Sequence, residues 1–134
     1  MTSTPKHPWL LVALRGGWWL AMAGVLALAL MPPTHLPTPM LDWWDKAQHA
    51  LAFAVLTAWA LWAWPAVVGR TLLGMLAFGG AIELAQWATG WRFGEWADLL
   101  ADGVGVMLGW ALGRGLAQIR RSRSGPQRAN RTSG

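Results

Sequence analysis

Four apolar stretches, each close to the length needed to cross a bilayer, dominate this chain of 134 residues. A bilayer core is about 30 Å thick, so a spanning helix needs roughly 20 mostly apolar residues. The first stretch runs from about Trp9 or Arg15 to Met31 and the second from about Lys46 to Trp64. The third runs from about Thr71 to Thr89 and the fourth from about Trp96 to Ile119. Pro32 and Pro33 close the first, Pro65 the second and Gly90 the third, residue types that stop helices. Strand-type alternation is absent, which argues against a β-barrel. The expected fold is all-α: a polytopic membrane protein, a bundle of four transmembrane helices within residues 1–119. Residues 32–45 are rich in proline and read as a loop with extended stretches. Residues 120–134 have no apolar run and read as a basic, disordered tail.

Composition agrees with this. Charged residues make up 13% of the chain, against about 25% in an ordinary soluble domain, too few to coat a water-facing surface. With no cysteine, disulfides, thiolate nucleophiles, iron–sulfur clusters and Cys-based zinc sites are excluded. Twelve tryptophans and no tyrosine fit aromatic belts at the membrane surfaces.

Charge placement sets the orientation. Lys6 and Arg15 flank the first span, Arg70 lies between the second and third, and Arg120, Arg121, Arg123, Arg128 and Arg131 fill the tail. Asp42, Asp45, Glu95 and Arg92 fall in the two other connections. The positive-inside rule then puts both termini of a multi-pass protein in the cytoplasm. Lys6, Arg15 and Ala27-x-Ala29 also fit a signal peptide, but the apolar run is long for one and holds Trp18 and Trp19.

Ionisable groups inside a span cost about 2.5–3.5 kcal/mol each by insertion scales. They are His49 on the second span, Glu83 with Gln86 on the third, and Asp98 with Asp102 on the fourth. The orientation above puts all five in the outer half of the membrane, and helical spacing puts each set on one face. Asp45, His49, Phe53, Leu56 and Ala60 share a side of the second span. Gly79, Glu83, Gln86 and Gly90 share one on the third, and Asp98, Asp102, Gly105, Gly109 and Gly113 one on the fourth. The last three form GxxxGxxxG, which lets helix backbones approach closely, within the bundle or in a homo-oligomer. Arg92, and Lys46 beside Asp45, offer positive charge to carboxylates or to an anionic ligand.

These residues resemble the VanZ-like family of small bacterial membrane proteins. The resemblance rests on DKAQHALAFAVL, Asp45 to Leu56, and on AIELAQWATGWRFGEWADLLADGVGVMLG, Ala81 to Gly109. Asp45, Lys46, His49 and Phe53 match the family's Asp-Lys-x-x-His stretch, and Glu83, Gln86 and Arg92 its Glu-x-x-Gln and following Arg. Asp98 and Gly105 match its closing Asp and Gly, while Asp102 stands where the family has Asn. The resemblance implies a small helical domain of the cell envelope and a link to glycopeptide resistance; it implies no reaction, substrate or cofactor.

Two readings of the polar residues stand side by side. In one, Asp45, His49, Glu83, Gln86, Arg92, Asp98 and Asp102 form an outer-leaflet pocket that recognises or processes an envelope lipid or glycolipid. Lys46 and Arg92 would meet its phosphate, or His49 or Glu83 would act as a general base. In the other, these residues only hold the helices together in a structural or partner-binding protein. A single histidine among carboxylates, without an H-E-x-x-H helix, gives no basis for a metal, and no cofactor is expected. The inner half has no ionisable chain to complete a proton path. The basic tail reads as a topology signal that contacts anionic lipid, not nucleic acid.

Overall fold

The computed structural model describes residues 8–31, 42–90 and 95–123. The described residues form four helices: α1 (Pro8–Ala29), α2 (Asp42–Ala63), α3 (Val68–Thr89) and α4 (Trp96–Arg123). Three are long and apolar enough to cross a membrane: α1, the segment Pro65–Thr89 that contains α3, and Trp96–Ile119 of α4. At 22 residues, α2 matches α1 and α3 in length, about 33 Å at 1.5 Å per residue. It is less apolar because its first half carries Asp42, Asp45, Lys46, Gln48 and His49.

Two boundaries differ from the sequence reading, for one electrostatic reason. Helix α2 begins at Asp42, inside the stretch expected to be loop. Two acidic residues in a first turn favour the positive end of the helix dipole. Helix α4 continues to Arg123, past the expected start of the tail. Arginines in a last turn favour the negative end in the same way.

The connections follow from their breakers. Pro65 opens a single 3-10 turn over Pro65–Val67, and α3 starts directly after it. At the far end of α3, Gly90 takes a left-handed φ of 75°, a conformation that favours glycine and ends helices. The helices run up and down. The C-terminal ends of α1 and α3 therefore share one end of the bundle with the N-terminal ends of α2 and α4.

α2 is the hub and touches the other three helices, most extensively α4. Its inward face is as the spacing predicts: Phe53, Leu56 and Ala60 are buried. On α4, a Cβ at Gly105 would collide with the Ala50 carbonyl oxygen, and one at Gly109 with the Ala54 carbonyl oxygen. The glycine stripe thus seats α4 on the backbone of α2, inside one chain. Trp18 ties α1 to the same hub, donating its indole N–H to the Leu56 carbonyl at 2.9 Å. The outside of the bundle is apolar on every helix, with Leu20, Leu51, Leu73, Leu84, Val104 and Leu112 all exposed. Such a surface is matched to lipid and not to water.

Candidate functional site

The polar residues of α2, α3 and α4 meet at the end where α2 and α4 begin. His49 lies seven residues into α2 and Asp102 six into α4, about 10 Å below the helix starts. Equal depth, and the close approach allowed by Gly105 one turn further in, bring them into contact. His49 Nδ1 is 3.0 Å from Asp102 Oδ1. Asp102 is fully buried, while the His49 side chain retains 15% exposure. An ionised Asp102 makes Nδ1 the donor, so the lone pair of the neutral ring sits on Nε2.

Above this pair, Lys46 closes the rim. Its ammonium lies 3.1 Å from Glu95 Oε2 and 3.4 Å from Asp98 Oδ1. Lys46, read from the sequence as a possible anion-binding group, is thus engaged by two carboxylates. Glu95 was noticed in the sequence only as a loop charge. Its place one residue before α4, beside the predicted Asp98, is the signal that would have found it.

Glu83 approaches from α3. Its electrostatic neighbours are Asp98, His49, Asp102 and the backbone amide of Glu95. Both carboxylate oxygens are enclosed, and among the described residues the Glu95 backbone amide acts on Glu83 without making a hydrogen bond of full geometry. Asp102 Oδ2 is enclosed and unpartnered in the same way. One turn before Glu83, Gly79 leaves room for Asp102: a Cβ there would stand 2.8 Å from Asp102 Oδ2. Among the described residues the centre therefore holds three buried acceptor oxygens without a full hydrogen bond, a costly arrangement for a merely structural contact.

Gln86 belongs elsewhere. Its amide N–H donates to the Ala29 carbonyl in the last turn of α1, at 3.0 Å. It fastens α3 to α1 instead of joining the cluster. Asp45 sits in the first turn of α2, with its side chain outside the described part, and Arg92 lies outside the described residues. No group of three His, Asp or Glu side chains suited to a metal ion occurs among the described residues.

No protein-family model matches the chain, and searches of curated proteins and of solved structures find no match either.

Proposed function

We propose that this is a four-span, VanZ-like protein of the bacterial inner membrane, both termini cytoplasmic, whose acidic cluster recognises or processes an envelope lipid or glycolipid. Several features support four spans. α2 has the length of its neighbours and carries exposed Leu51, Val55 and Trp62 on its outer side. All six acidic residues stand at one end of the bundle, and among the described residues Arg15, Arg70 and Arg114 stand toward the other.

The observation that carries the functional reading is Glu83. A carboxylate enclosed beside two aspartates, without a full hydrogen bond to either oxygen among the described residues, is unfavourable unless something supplies donors. Sugar hydroxyls or a lipid ammonium supply them. A phosphate would not, and Lys46, one of the two groups that would attract one, is already engaged. The His49–Asp102 pair adds a base oriented by a carboxylate, the arrangement needed to accept a proton from a hydroxyl or water. The purely structural reading accounts fully for Gln86 but leaves Glu83 without a purpose.

The test is a thermal-shift assay of the full chain in detergent, with phosphatidylethanolamine or a glucosyl diacylglycerol added separately. One of them should raise the melting temperature of the wild type and leave Glu83→Gln unmoved. Equal shifts in both proteins, or none with either lipid, would remove the pocket.

A further inference from the structure

The second feature lies at the opposite end. α1 and α3 touch only sparingly, and between them a groove of about 550 Å³ opens against α2. Trp18, Met22, Trp64, Gly74 and Phe78 line it, with Arg70 at its mouth. Ligand sites commonly measure roughly 300–1,000 Å³, so this groove has the capacity of a real site.

Its mouth is cationic. The Arg15 guanidinium lies 5.4 Å from the centre of the Trp64 ring, itself part of the wall. It also donates through Nε and Nη2 to the Ala63 carbonyl, at 3.4 and 3.3 Å. Among the described residues neither Arg15 nor Arg70 has a carboxylate to neutralise it. The six acidic residues of the chain are Asp42, Asp45, Glu83, Glu95, Asp98 and Asp102. They sit at or near the starts of α2 and α4 and in the last two turns of α3. The groove thus joins a long apolar wall to an uncompensated positive rim at membrane-surface depth. Basic pockets between transmembrane helices select anionic lipid headgroups.

We propose that this groove is a site for an anionic phospholipid, one acyl chain along the α1–α3 wall and the phosphate against Arg15 and Arg70. The lipid completes the packing that α1 and α3 do not make with each other. It is distinct from the acceptor-rich cluster, which lies at the other membrane face.

Native mass spectrometry of the full chain in detergent tests this, with phosphatidylglycerol and phosphatidylcholine of identical chains as probes. The wild type should bind phosphatidylglycerol more tightly. Arg70→Gln should lower that affinity about fivefold, the effect of one surface arginine, and leave phosphatidylcholine unchanged. A Cβ at Gly74 meets nothing within 4 Å, so Gly74→Leu fills the groove without disturbing the fold and should weaken both lipids. Equal binding of the two lipids by the wild type would overturn the proposal, as would a preference untouched by Arg70→Gln or binding untouched by Gly74→Leu. Stabilisation by inorganic phosphate equal to that by phosphatidylglycerol would overturn it too, since the chain would then contribute nothing. Glu83→Gln leaves the groove intact, so failure of the cluster reading and failure of this one are separable.

Discussion

The two ends of this bundle handle charge in opposite ways. At the end where α2 and α4 begin, carboxylates outnumber their donors. Lys46 answers Glu95 and Asp98, His49 answers one oxygen of Asp102, and Glu83 is enclosed without a full hydrogen bond among the described residues. At the other end Arg15 and Arg114 lie against neutral groups. Arg15 rests on Trp64 and on the last carbonyl of α2, and Arg114 lies 5.1 Å over the Trp110 ring. A cation on a ring or at a helix C-terminus is stabilised while its charge stays available. A carboxylate enclosed without donors is destabilised until a partner arrives. One end therefore reads as scaffold with a lipid-facing rim, and the other as a site maintained at a cost.

Between the ends runs the α2–α4 seam, and breaking it should have the largest effect. Gly109→Leu drives a side chain into the Ala54 carbonyl and the Thr57 Cβ, atoms held by helix backbone that cannot step aside. Overpacking ordinarily costs about 1–3 kcal/mol, and a backbone clash should reach or exceed the upper value. Size-exclusion profiles and melting curves in detergent should show loss of the folded monomer. Gly115→Leu, where a Cβ meets nothing within 4 Å, should melt like the wild type.

Next in size is His49→Leu, which leaves the fully buried Asp102 without its cation-capable partner. Losing one member of a buried pair costs about 3–5 kcal/mol. Adding Asp102→Asn, which removes the stranded charge, should recover more than half of the lost stability. If the double variant is no more stable than the single one, the pair is not the unit described above.

A smaller effect is expected at the basic end. Arg15→Gln removes the charge from the α2 C-terminus and from the Trp64 face, about 1 kcal/mol together. A drop in melting temperature as large as that of His49→Leu would erase the contrast between the ends.

Much of this was legible in the sequence, and the limits have physical causes. The inward faces follow from helical periodicity, so Phe53, Leu56 and Ala60, and the stripe Gly105–Gly109–Gly113, could be read directly. The depth of the polar groups followed from counting residues along each span. Pairings could not be read, because azimuth and helix crossing decide whether His49 meets Asp98 or Asp102. Gln86 shares a face with Glu83 yet turns to α1, where its amide meets the Ala29 carbonyl. In the sequence Arg15 is only a charge flanking the first span. Its role at the end of α2 depends on Pro65, which has no N–H to offer, and on the 3-10 turn, where the Val67 N–H bonds to Trp64 instead. α2 starts four residues before the expected Lys46, at Asp42, because the prolines end upstream of it and the acidic first turn suits a helix start.

The most direct measurement is the melting temperature of Glu83→Gln beside the wild type, both purified in one detergent without added lipid. The substitution keeps the shape, removes the charge and adds a donor beside unpartnered acceptors. A site held at the expense of stability predicts that the variant melts at or above the wild type. A fall of many degrees would show Glu83 to be a structural keystone and would contradict the assignment of this end as the functional one.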